Sequence, residues 1–147
     1  MTTVALIVGS VLGTALDVAE QLQEVLVSEG YTVILEDEPQ DIPDADVLLF
    51  CTSTTGRGHF PSALVPLVNG IEVGHIAVTG CLYGVIALGD SRYPTFCGAG
   101  RHLDDVLTQQ GAIRIGERLE LDASGSEYPD EEALAWLPKW LAALDAT

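Results

Sequence analysis

The 147-residue chain is long enough for one domain spanning residues 1–147, and 48% hydrophobic against 19% charged residues describes a globular chain rather than a disordered one. A net charge of −16, from 22 acidic and 6 basic residues, leaves no clustered Lys and Arg for phosphate, so neither nucleic acid nor a membrane is expected as a partner. No apolar run reaches the roughly eighteen residues of a membrane span, and the start MTTVALIVGS lacks a basic segment and the apolar length of a secretory signal, so a cytoplasmic location is expected.

Residues 2–8, TTVALIV, form a first buried strand that Gly9 ends. From Thr14 to Glu29, Val18, Leu22, Val25 and Leu26 recur at helical spacing, and Gly30 stands as a stop. YTVILE (31–36) is a second strand, and an acidic, proline-containing connection (37–46) with room for one helical turn follows it. VLLFCT (47–52) does not alternate, which predicts a third strand buried on both faces. Pro61 to Asn69 reads as a short helix with proline near its first turn, and LYGVIAL (82–88) as a fourth strand. Arg101 to Gln110 places Leu103, Val106 and Leu107 on one helix face before Gly111. AIRIGERLEL (112–121) has period two, as a strand near a sheet edge would. A last helix from Pro129 to Leu144 aligns Leu134, Leu137, Leu141 and Leu144, and Pro138 is expected to bend it or open a new first turn.

Strands that alternate with helices predict an α/β fold: a doubly wound sheet of five parallel strands, order 2-1-3-4-5, with helices on both faces. Ligands of such sheets bind beyond the C-terminal strand ends, where the first and third strands diverge. Three loops are therefore of interest. GSVLGTA (9–15) offers two glycines, inward amides and the hydroxyls of Ser10 and Thr14, a cradle for a phosphate that matches neither the nucleoside-triphosphate loop nor the dinucleotide fingerprint. In LLFCTSTTGRGHFPSAL (48–64), the hydroxyls of Thr52, Ser53, Thr54 and Thr55 and the glycines 56 and 58 exceed what a turn needs. GDSRYPTFCGAG (89–100) adds Tyr93, placed to stack on a planar ring, and Phe96, better read as capping the core.

Together these loops, with YGVIALGDSRYPTFCGAGRHLDDVL and the closing WLPKWLAAL in matching order and spacing, resemble the flavodoxin family across the whole chain. The short MioC-type members, related to the FMN domains of sulfite reductase and cytochrome P450 reductase, are most similar. The resemblance implies a flavodoxin-like fold and FMN as cofactor. It implies that Ser10, Val11, Leu12, Gly13 and Thr14 hold the phosphate. Thr52, Ser53, Thr54, Thr55, Gly56, Arg57 and Gly58, with Gly89, Asp90, Tyr93, Phe96 and Cys97, would clasp the isoalloxazine, Tyr93 as the stacking residue. The implied function is a monomeric electron carrier that takes single electrons from an NAD(P)H-dependent flavodoxin reductase to an acceptor enzyme. No side chain need act as acid or base, so it would be a redox carrier rather than a catalyst with its own substrate. The acids Asp37, Glu38, Asp41, Asp44, Asp104 and Asp105 would dock basic partners.

The chain departs from the family pattern in three places. Val11 and Leu12 replace two threonines of the phosphate loop, at about 1 kcal/mol per hydrogen bond lost. Thr55 stands where the reductase domains carry a second aromatic, and His59 replaces an acid. Arg57 and Arg92, two of six basic residues, fall in the ring loops; they would raise the potential of the second one-electron step, unless they pair with nearby acids. These departures keep open an alternative, a non-redox binding or regulatory module on the same scaffold that takes another phosphate-bearing ligand or has lost FMN. Three cysteines without CxxC spacing predict neither a disulfide framework nor a metal site, and Cys51 reads as a small buried hydrophobe. His75 and His102 read as surface residues, Asp104–Asp105 as a solvated helix turn, and Trp136 and Trp140 as packed on the sheet.

Overall fold

The computed structural model describes residues 2–10, 13–54, 60–90, 92, 96–122 and 129–147. Its elements in chain order are β1 (Thr3–Gly9), α1 (Thr14–Ser28), β2 (Thr32–Glu36), β3 (Val47–Thr52), α2 (Val65–Glu72), β4 (Leu82–Gly89), α3 (Gly98–Gln109), β5 (Ile113–Arg114), β6 (Leu119–Asp122) and α4 (Pro129–Asp145). The strands pair in parallel in the order β2-β1-β3-β4-β5, and β6 also pairs with β4. The predicted order holds, with its fifth position shared by two short strands.

That division has a countable cause. Tyr83 pairs with Arg114 and Ile86 with Leu119, so three steps along β4 face five along its partner. The two extra residues make a bulge, and Gly116 within it has φ 66°. Arg114 and Arg118 flank the bulge, and each brings Nη1 to 2.6 Å from Oδ2 of Asp104. Asp104, expected in solvent, is 2% exposed on the inner face of α3. The reason is helical spacing: it shares a face with the buried Gly100, Leu103 and Leu107.

Each face of the sheet carries its own core. Val4, Leu6 and Val8 of β1, with Leu49 and Cys51 of β3, pack beneath α1 and α4 against Leu22, Leu26, Leu137 and Trp140. The alternate residues Ala5, Ile7, Leu48 and Phe50 meet Leu67 and Ile71 of α2 and Leu103 and Leu107 of α3. β3 is thus buried along its whole length, as its continuous apolar run predicts. Trp140 is buried and Trp136 stacks on it, ring centroids 5.8 Å apart.

Two helices differ from expectation. α2 starts at Val65, because residues 61–64 close i to i+3 turns instead (Leu64 N–H to Pro61 O, 3.0 Å), and Pro66, not Pro61, sits in its first turn. α4 continues through Pro138, which is exposed, while Leu137 and Trp140 on the buried side hold the segment to the sheet. The 37–46 connection has no helical turn.

Candidate functional site

Gly9, Thr52 and Gly89 end the three central strands side by side. Gly9 pairs with Thr52, and the Ser53 N–H donates to the Gly9 carbonyl at 2.8 Å, so the loops after β1 and β3 leave the sheet as neighbours. The glycine at position 9 serves close approach rather than a turn: a β-carbon there would stand 2.5 Å from the Leu64 side chain. Gly13, with φ 89°, makes the turn and precedes α1.

Among the described residues no side chain caps α1, so its first N–H groups and the positive end of the helix dipole are available to an anion. Ser10, directly after β1, has a fully buried Oγ with no hydrogen-bond partner among the described residues. A buried hydroxyl without a partner costs about 1–3 kcal/mol, and an anion oxygen held by Ser10 and the start of α1 would remove that cost.

The loop after β4 returns tightly. A β-carbon on Gly89 would lie 2.5 Å from the Cys97 nitrogen, so only glycine lets residue 97 lie across the strand end. Cys97 adopts φ 53° and starts α3, with its Sγ 3.4 Å from the Ala87 carbonyl. The loop after β3 is fastened to the same helix, since the Ala99 N–H donates to Thr54 Oγ1 at 3.3 Å.

Local charge is arranged in two groups. Asp90 accepts from Nε and Nη2 of Arg92 at 2.9 and 2.6 Å and from its backbone N–H at 3.0 Å, which holds the Asp90 carboxyl below its usual range. Arg92 therefore pairs with a nearby acid, the second of the two expectations for it. Arg101 grips Glu120 with Nε and Nη2 at 2.7 and 2.9 Å, and Arg118 Nε reaches the same carboxylate at 3.1 Å. These bonds, the Arg101 one foremost, lower the Glu120 pKa against the opposing effect of burial. The Arg101 guanidinium also lies 5.6 Å from the centre of the Phe96 ring.

The structure brings Ser10, Gly13, Thr14, Thr52, Ser53, Thr54, Gly89, Asp90, Phe96 and Cys97 to this end of the sheet. Not all of them present a side chain to it. Thr52 is fully buried and its hydroxyl donates to the Ser53 carbonyl at 2.9 Å. The Cys97 thiol is buried and its pKa is pushed up to about 12, first by burial and then by Glu120. Phe96 packs against the α2–α3 core, in keeping with its core-capping role. Val11, Leu12, Thr55, Gly56, Arg57, Gly58, His59 and Tyr93 lie outside the described residues.

Sequence reasoning passed over Leu64, Arg101 and Glu120. The signal for the last two was present, since Arg101 opens a predicted helix and Glu120 lies in the predicted strand 112–121, one residue before its end, but their meeting depends on the bulge. Among the described residues, no group of three or more His, Cys, Asp or Glu could hold a metal ion. No helix there is long and apolar enough to cross a membrane.

The sequence matches the flavodoxin family over residues 6–136. It is 38% identical to flavodoxin YqcA of Escherichia coli over 95% of this chain and 97% of that one. Protein MioC of the same organism is 34% identical, over 96% and 97%. Among solved structures, a flavodoxin from Pseudomonas aeruginosa carrying a cysteine-to-alanine substitution superposes with a TM-score of 0.86 at 35% identity, covering 97% of this chain and 99% of that one. A Fusobacterium nucleatum flavodoxin, bound to flavin mononucleotide, shares the fold at a TM-score of 0.76 and 17% identity over 95% and 96% of the two chains.

Proposed function

Since the chain belongs to the flavodoxin family, we propose that it is an FMN-binding carrier of single electrons, loaded by an NAD(P)H-dependent reductase and discharged to an acceptor enzyme. The observation that carries the reading is the buried Ser10 Oγ, without a hydrogen-bond partner among the described residues, in the loop that leads into α1, an unmet need that a ribityl phosphate fits.

When bound, FMN supplies the redox chemistry. The protein's residues bind and orient it: Ser10, Gly13 and Thr14, with Val11 and Leu12, at the phosphate, and residues 52–58 and 89–97 around the ring. The close return at Gly89 and Cys97 supports the ring assignment, because it fixes the start of that loop against β4.

Docking would use the acidic surface. Asp37, Glu38, Asp41, Asp44 and Asp105 are exposed and suit a basic partner. Asp104 leaves this set, because Arg114 and Arg118 already neutralise it inside the protein.

The test is the visible absorption spectrum of the purified protein before and after FMN is added, followed by anaerobic photoreduction in one-electron steps. A bound-flavin spectrum that reduces in two resolved steps upholds the proposal. No spectral change at saturating FMN transfers the fold to the non-redox binding module.

A further inference from the structure

We propose that the first turn of α3 is a shared anchor for the two loops around the ring, with Arg101 and His102 as positioning residues. This rests on the flavin reading above. Three contacts from consecutive parts of that turn reach the two loops. The Ala99 N–H holds Thr54 Oγ1 at 3.3 Å. The His102 ring packs on Phe60, centroids 5.3 Å apart and planes tilted 41°. The Arg101 guanidinium covers Phe96 at 5.6 Å. Thr54 and Phe60 bracket the loop after β3, and Phe96 closes the loop after β4.

The Arg101 side chain is restrained from a second element. Arg101 is held by both oxygens of Glu120 on β6, and Glu120 is held in turn by Arg118. His102 Nε2 lies 3.6 Å from Glu72 Oε1 at the end of α2. Such pinning matters, because a free arginine would give up much rotamer entropy to stay over a ring. A side chain at Gly100 would collide with Ala87, so the helix backbone lies directly on β4. Thr54, Phe60 and Phe96, which flank the two loops, therefore all meet the first residues of one helix.

The consequence is specific to the ring. FMN and riboflavin share the ring and differ by the phosphate, so an anchor of the ring loops must affect both equally. Their dissociation constants are to be measured by flavin fluorescence for the wild type, Arg101→Met and His102→Ala. Each variant is expected to weaken both flavins by the same factor, about fivefold, while the ligand-free melting temperature stays within about 3 °C of wild type. If either variant folds poorly, Glu120→Gln, which keeps side-chain volume and loosens Arg101, carries the same expectation. Unchanged affinities, or a loss confined to FMN, would overturn the anchor. A wild type that binds no FMN would instead sink the flavin reading, a different result from wild-type binding with unaffected variants.

Discussion

The hydroxyl of Tyr83, fully buried in β4, donates to Oδ1 of Asp104 at 2.5 Å, and Thr108 Oγ1 lies 2.9 Å from the same hydroxyl. The other carboxylate oxygen faces Arg114 and Arg118. One acid thus joins the centre of the sheet to both sides of the edge-strand bulge.

Burial first, and then the bond to Asp104, pushes the Tyr83 hydroxyl from 10.0 up to about 12. A raised folded-state pKa favours the fold fully below the unfolded value and loses that effect as pH climbs through the folded one. Stability should therefore fall between pH 10.0 and about 12, by about 2 kcal/mol from this group. Urea unfolding at stepped pH checks it: Tyr83→Phe should show a shallower alkaline decline than wild type. The buried thiols of Cys51 and Cys97, also pushed up to about 12, contribute equally to both proteins and cancel in the comparison.

Asp104→Ala should be among the most damaging substitutions. It takes the buried acceptor from the Tyr83 phenol and a partner from two guanidiniums that are themselves 41% and 25% exposed, a loss of about 1–3 kcal/mol. Chemical denaturation gives the number, and a cost below about 1 kcal/mol would mean that water replaces the carboxylate.

Ser10→Ala should act with opposite signs on stability and binding. In the ligand-free protein it removes a buried hydroxyl that has no partner among the described residues, so the melting temperature should hold or rise. FMN affinity should fall about fivefold, for one hydrogen bond of about 1 kcal/mol, with riboflavin unaffected. Calorimetric titration separates the two flavins.

Gly89→Ala should be disruptive out of proportion to one methyl group. Its β-carbon would stand 2.5 Å from the Cys97 nitrogen, a backbone atom that no rotamer change can move. Overpacking of this kind costs about 1–3 kcal/mol, and thermal melting with FMN titration should show both stability and affinity reduced.

The three thiols should react unequally. Cys51 and Cys97 are buried, and their ionisation is suppressed, whereas Cys81 is half-exposed. A chromogenic disulfide reagent should label one thiol in the native protein and three after denaturation; fast native labelling of more than one would contradict the packing around Cys97.

Strong periodicity made most elements legible from the chain alone. The predicted third strand, 47–52, is the observed β3, because six apolar or small residues without alternation permit few other fates. The start of α2 was not legible, since Pro61 and Pro66 both suit a first turn and only tertiary packing chooses between them. Asp104 was hidden by its neighbour Asp105. Two adjacent acids look solvated, while the helical spacing from Leu103 and Leu107 turns the first inward and leaves the second exposed. Ser10 at the phosphate end could be read from the glycine-spaced loop, but the Arg101–Glu120 pair could not, because its partners are brought into reach by two extra residues that the period-two pattern of 112–121 conceals.

Those two residues also bear on how the molecule behaves among its own copies. The outermost position beyond β4 carries Ile113, which is 51% exposed, on a strand of only two residues. A long flat margin with such a side chain would template strand addition from a second molecule and so favour aggregation. Broken between Arg114 and Leu119, and closed there by guanidiniums turned onto Asp104, that margin offers an incoming strand too short a ladder to hold.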